Sequence, residues 1–340
     1  MIPMPEASTV AIDRACCLFC AVCVLIVVSE CALAETEGTW TVAERQEMQW
    51  LVDEMASTHG IPKQITTLSL KQAKKQPRIL ELMDRPAERR LEWKDYQDIF
   101  LTPKRIASGQ RFKRSWKREL DAIESRYHVS ASVIVSILGV ETSYGEKIGN
   151  FNIIDSLSTL SFSGHRRSTF FKKELAHFLL LTWEHQFKNL SDLKGSYAGA
   201  MGMPQFMPSS YRAYAVSHRG YEKADIWQPT DAMASIANYL KSHGWKYGKP
   251  VAAVAKVRRT TGKKLASGSS KPNSTLQRLK HAGWTTHKTV PLGTPVAPMV
   301  FEGKTGKEYW IGFWNFFVIT RYNPNSMYAL AVHQLAQAIR

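Results

Sequence analysis

The chain has 340 residues, is 44% hydrophobic and 11% aromatic, and carries a formal charge of +16. This composition excludes a disordered chain and gives enough apolar material for one large domain or two ordinary ones. All five cysteines lie within the first 31 residues.

The first 34 residues read as a signal peptide. Ala15 to Val28 is uncharged and apolar, as in a leader's hydrophobic region, and is shorter than the roughly 20 residues of a spanning helix. Ala32-Leu33-Ala34 supplies a small-residue cleavage site before Glu35. The segment before it is not clearly basic, with Arg14 beside Asp13, so a retained anchor stays open. Cleavage would remove every cysteine, and with them any disulfide framework, thiolate metal site or cysteine nucleophile. It would also remove one basic residue and three acids, leaving 44 basic and 26 acidic residues and a charge of +18.

Residues 42–57 place Val42, Met48, Leu51, Val52 and Met55 at helical spacing, and Gly60-Ile61-Pro62 stops that helix. Residues 114–127, 130–141, 168–189 and 230–243 also read as helices. After Gly244 the character changes. Val251–Val257, Thr289-Val290, Val296–Phe301 and Tyr309–Thr320 look like strands, with Pro298 marking an edge. Thr260–Thr275 reads as a loop rich in Gly, Ser and Lys. Ser326–Ile339 returns to helix with Ser326 as its cap. The expected class is α+β, mainly α: an N-terminal helical region (35–128), a helical core (129–245), a small antiparallel β subdomain (246–322) and a C-terminal helix (323–340) that packs on the helical body.

Between Asp231 and Glu302 there is no acid but twelve Lys and Arg. The basic 241–288 segment suits an anionic partner: cell-wall polymer or lipid headgroups, with nucleic acid disfavoured by export. A solvated loop that only aids solubility is the alternative.

The helix at 130–141 carries the chemistry. Ser130 can cap it, with Val129 and Ile134 as a hydrophobic staple. Val133, Ile134, Ile137, Leu138 and Val140 make it apolar almost all round, so it is buried. Glu141 falls on the side of Ile134, Ile137 and Leu138, at the helix C-terminus. Burial and the helix dipole both favour its protonated form, which a general acid needs. Taken alone, such a Glu is more often structural, paired with Arg or Lys, than catalytic.

Glu141-Thr142-Ser143-Tyr144-Gly145 resembles the E-[ST]-x-[YFW]-G signature of lysozyme-like lytic transglycosylases. Three further blocks narrow the resemblance: Ile154 to Phe162 followed by Arg166-Arg167, Leu193 to Tyr211 with Ser196-Tyr197-Ala198-Gly199, and Asn315 to Asn323. In order and approximate spacing, over residues 40–340, these are similar to the membrane-bound lytic murein transglycosylase B family. The resemblance implies a lysozyme-like core. It implies cleavage of the β-1,4 bond between N-acetylmuramic acid and N-acetylglucosamine in peptidoglycan, leaving 1,6-anhydromuramoyl ends.

It also implies roles. Glu141 is acid, then base. Ser196, Gln205, Phe206 and Tyr239 contact the glycan, Tyr322 and Asn323 the N-acetyl sugar, Arg166 and Arg167 the stem-peptide carboxylates, and Tyr96 lines the cleft. No metal or cofactor is implied, and a periplasmic monomer, free or membrane-associated, is expected. The alternatives are a lysozyme-type hydrolase, with Asp155 or Asp192 as second acid, and an inactive peptidoglycan-binding protein. Phe206 and Tyr239 could also be plain core aromatics. One departure stands out: where the family's better-known members carry an acidic calcium loop, residues 217–227 begin Ser-His-Arg-Gly-Tyr, and no calcium is expected there.

Overall fold

The computed structural model describes residues 39–84, 91–266 and 269–340. The proposed leader and its cysteines lie outside the described residues. Six helices precede the core: α1 (Val42–His59), α2 (Lys63–Lys71), α3 (Pro77–Asp84), α4 (Trp93–Phe100), α5 (Pro103–Ser115) and α6 (Lys117–Tyr127). Thr41 caps α1 through a reciprocal capping box with Glu44. Val42, expected on the apolar face, is 67% exposed, because it is the first helical residue and points away from the body. The single helix expected over 114–127 is two, broken at Trp116, which ends α5 and begins α6.

The core follows: α7 (Ala131–Thr142), a short strand β1 (Phe151–Asn152), α8 (Ile153–Phe162), α9 (Ser168–His185), β2 (Lys194–Gly195), α10 (Pro208–Tyr214) and α11 (Pro229–Ser242). Every residue of α7 except Glu141 is buried. The Ser130 side chain makes no cap bond. The Glu124 carboxylate accepts the Ala131 N–H instead, at 2.8 Å.

The C-terminal third holds β3 (Ala252–Val257), α12 (Thr260–Lys263), β4 (Ser274–Thr275), α13 (Leu276–His281), β5 (Trp284–Thr285), β6 (Pro295–Gly303), β7 (Gly306–Gly312), α14 (Trp314–Tyr322) and α15 (Ser326–Ala338). The five strands form an antiparallel sheet in the order β4-β6-β7-β3-β5. Ala297, Met299, Phe301 and Trp310 face the main core. Ala253, Ala255, Val296 and Ile311 face a second, smaller core with Leu276, Leu279 and Trp284. A sheet covered on both faces loses the apolar–polar alternation of a one-sided strand.

Two strand expectations are corrected. Thr289-Val290 has no strand; the edge is Trp284–Thr285. Tyr309–Thr320 is strand only to Gly312, and Trp314 onward is helical. The Asn315 side chain fixes that helix start: it accepts from Lys246 N–H and donates to the carbonyls of Lys246 and Lys249. Pro298 lies in β6, second in the sheet, but β4 covers only Pro295 and Val296, so the strand is unpaired on that side at Pro298. Thr260–Thr275 is not loop throughout, since it contains α12 and β4. The C-terminal helix is capped one residue earlier than expected: the Asn325 side-chain Oδ1 accepts from the N–H groups of Met327 and Tyr328.

Candidate active site

Glu141 is the penultimate residue of α7, and part of its surface remains open. Its Oε1 accepts a hydrogen bond from the Tyr328 hydroxyl at 2.6 Å. Burial raises its pKa from 4.5 to about 7, against the lowering effect of that hydrogen bond. A carboxyl so placed is divided between its two forms near neutrality and can both give and take a proton.

Tyr328 stands in the first turn of α15, so the Asn325 cap sets its position. Asn325 also donates from Nδ2 to the Tyr96 hydroxyl at 2.9 Å, which ties α4 to the same point. The Tyr322 ring lies parallel to Tyr328 at 6.5 Å, and its hydroxyl donates to Pro204 O at 2.5 Å. Burial and the neighbouring Glu141 hold the Tyr322 and Tyr328 hydroxyls well above the usual phenol range, so both remain protonated donors.

Beneath Tyr322 lie Phe206 at 5.8 Å and Tyr239 at 4.9 Å. Phe206 is 3% and Tyr239 8% exposed, and the Tyr239 hydroxyl donates to Arg321 O. Both rings are packed against Tyr322 rather than exposed. Asn323 is exposed at the end of α14.

The loop 195–206 forms the next wall. Met201 bridges to both Gly195 and Phe206. Ser196 is half-buried, and its hydroxyl oxygen accepts from the N–H groups of Ala198 and Ala200. Gln205 adopts a left-handed backbone, φ +53°, uncommon for a side chain of its size. Its Nε2 donates to Ile148 O and Gly202 O, which commits the amide to holding the loop. The Thr142 hydroxyl donates to Met203 O at 3.1 Å, so the end of α7 is fastened to this wall. At Gly195 a Cβ would come within 2.0 Å of Ala200 O, so only glycine lets the two backbone stretches approach.

Tyr144, the aromatic of the signature, faces away from the cleft. Its hydroxyl donates to Arg105 O, and its ring stacks on Phe112. It wedges between α5 and α7 over Gly109 and Gly139. Arg166 and Arg167 are exposed on the turn before α9, with Arg167 over the Phe170 ring at 4.6 Å. No contact among the described residues joins them to the Glu141 cluster.

The two acids considered as partners for Glu141 have other work. Asp155 is buried and accepts from Lys74 N–H, Gln76 and Asn152. Asp192 is exposed and accepts from Asn189. Asp231, in the first turn of α11, accepts from the N–H groups of His218 and Asp225 in the 217–227 loop, and the Ser217 hydroxyl accepts from Tyr221 N–H. Tyr328 and Asn325 are the functional residues that the sequence reading missed. The available signal was an Asn three residues before a Tyr at the start of an apolar helix.

Residues 43–337 match the family described as the transglycosylase SLT domain. The chain is 38% identical over 306 residues to membrane-bound lytic murein transglycosylase B of Escherichia coli, covering 87% of this chain and 83% of that one. Its fold is similar to the crystal structure of soluble lytic transglycosylase SltB1 from Pseudomonas aeruginosa, at a TM-score of 0.82 and 42% identity over 86% of this chain and 98% of that one. It is also similar to SltB3 from Pseudomonas aeruginosa, solved in complex with NAG-anhNAM-pentapeptide, at a TM-score of 0.79 and 31% identity over 88% of this chain and 80% of that one. With a lysozyme-like helical core, a buried acid at the end of α7 and a match that runs from α1 to α15, the chain belongs to the lytic murein transglycosylase family of the SLT type.

Proposed function

We propose that the chain cleaves peptidoglycan glycan strands with Glu141 as its single acid and base, forming 1,6-anhydromuramoyl ends for wall remodelling. The observation that carries this is a carboxyl raised to about 7 with a tyrosine hydroxyl and, among the described residues, no second carboxylate against it. Protonated Glu141 gives its proton to the glycosidic oxygen as that bond breaks. The 2-acetamido group of the sugar stabilises the charge developing at C1. Ionised Glu141 then takes the proton of the muramoyl C6 hydroxyl, whose oxygen bonds to C1. The phenol of Tyr328, bonded to Oε1, supports the ionised form between these two steps.

Ser196, Tyr322, Asn323 and Tyr96 are assigned as glycan contacts. Gln205, Phe206 and Tyr239 hold that surface from below. The exposed Arg166 and Arg167 are assigned to stem-peptide carboxylates, for which a guanidinium fork is suited. Exposed Lys256, Arg258, Arg259, Lys263, Lys264 and Arg278 on the sheet subdomain form a face suited to the anionic wall. We assign the chain to the periplasm as a monomer; the curated relative is named as membrane-bound. Among the described residues no helix is long and apolar enough to cross a membrane.

Product analysis on purified sacculi tests the reaction. Anhydromuramoyl ends are expected. Recovery of only reducing ends identifies a hydrolase and overturns the proposal. Glu141→Gln is expected to abolish cleavage while glycan binding persists.

A further inference from the structure

A charged groove runs around the N-terminal end of α7, at the opposite end of that helix from Glu141. At 1.5 Å per residue the two ends are about 15 Å apart along the axis. The wider part of the groove, about 750 Å³, is lined by residues that include Lys113, Arg114, Lys117 and Arg340. A narrower part, about 320 Å³, shares Ser130, Ser132 and Arg340 and continues past Trp245, Lys249, Lys288 and His333.

The charges of this groove are not evenly answered. Lys117 is paired with Asp121, and Lys113 donates to Ser132 Oγ at 3.0 Å. Glu124 is occupied by Ala131 N–H and the Tyr247 hydroxyl. Arg114, Lys249, Lys288 and Arg340 are exposed and form no ion pair among the described residues. The positive end of the α7 dipole adds to them.

A second observation is independent of charge. His333 lines the narrow part, is 6% exposed, and its Nε2 has no hydrogen-bond partner. The Nε1 of Trp245 has none either. Two buried polar groups left unsatisfied beside one cavity are costly unless something fills it. Burial, with Arg340 and Lys288 nearby, lowers the His333 pKa to about 4, so the ring is a neutral hydrogen-bonding group.

Cations spaced along the groove, with neutral polar groups and the already hydrogen-bonded Glu124 between them, fit several carboxylates separated by amides better than one compact anion. We propose that this groove binds an acidic peptide, with Arg114, Lys249, Lys288 and Arg340 holding its carboxylates. The proposal rests on the wall-cleaving reading, since the stem peptides of peptidoglycan are acidic peptides. A second grip on the same polymer raises the local concentration of glycan at Glu141.

The test uses the whole chain and a synthetic acidic tetrapeptide with two side-chain carboxylates and a free C-terminal carboxylate. Its fully amidated form and inorganic phosphate serve as comparisons. The readouts are the indole N–H resonance of Trp245, assigned with Trp245→Phe, and the ring resonances of His333. Saturable movement of both with the acidic peptide alone is expected. Lys249→Glu with Lys288→Glu is expected to weaken that binding at least about tenfold, while cleavage of peptide-free glycan fragments is unchanged. No saturable shift, an equal response to phosphate or to the amidated peptide, or full-strength binding by the variant overturns the proposal. The peptide has no glycosidic bond, so this outcome is independent of product analysis on sacculi.

Discussion

Glu141→Gln reports on folding as well as on catalysis. The variant keeps an acceptor for the Tyr328 hydroxyl but cannot ionise. In the wild type, folding raises the carboxyl from 4.5 to about 7, chiefly by burial. The folded state therefore holds its proton at pH values where the unfolded chain has released it. This contribution to stability is fully present below pH 4.5 and is lost as pH rises through about 7. One pKa unit corresponds to about 1.4 kcal/mol, so by pH 8 the loss amounts to about 3 kcal/mol. Urea unfolding of wild type and variant at pH 4, 6 and 8 reads this directly. The two proteins are expected to be nearly equally stable at pH 4. The variant should gain steadily until it leads by about 3 kcal/mol at pH 8. A stability difference that is the same at pH 4 and pH 8 refutes the claim that burial holds Glu141 protonated.

Tyr328→Phe removes the one hydrogen bond that lowers the Glu141 pKa, so the fall in kcat/KM at high pH should move up by about one to two pH units, given about 1.5–3 kcal/mol for a bond to a charged group; an unmoved limb refutes it. Gly139→Ala places a methyl within 2.7 Å of the Tyr144 ring, so where helix propensity alone favours Ala, thermal unfolding should show a loss of about 1–3 kcal/mol, and a gain counts against the wedge. Asp231→Ala leaves the N–H groups of His218 and Asp225 without their carboxylate, and limited proteolysis should then cut near residues 216–228. Since Asp231 already closes that loop, calcium chloride should leave the wild-type Tm unchanged, and a calcium-dependent rise contradicts this account.

Much of the helical body was legible because burial there follows a simple period. The all-round apolar character of residues 131–140 announces a buried helix, and the acid at its end follows from that pattern. The tyrosine layer is different. Tyr328 reaches Glu141 across 187 positions of sequence, and no local pattern reports such a meeting. Its placement also depends on a one-residue detail, the cap at Asn325 rather than Ser326. Trp314 to Thr320 reads as strand because aromatic and β-branched residues favour extended backbone. Tertiary contacts through Asn315 override that preference. Phe206 and Tyr239 show the converse limit, since an aromatic in a recognised block looks the same in sequence in the floor as on the surface of a site.

The Tyr144 wedge has a consequence for how the protein can vary. It locks α5 to α7 over two glycines, where any added Cβ forces the Tyr144 ring to shift, and the Arg105 guanidinium of α5 reaches the Gly139 carbonyl and Ser143. The end of α7 that carries Glu141 is thus braced from the side opposite the substrate. Under the proposed function, changes at the assigned glycan contacts Ser196 or Asn323 would alter which strands are accepted without loosening this brace. One support of the acid is therefore remote from the 195–206 wall, even though Thr142 also ties the helix end to that wall.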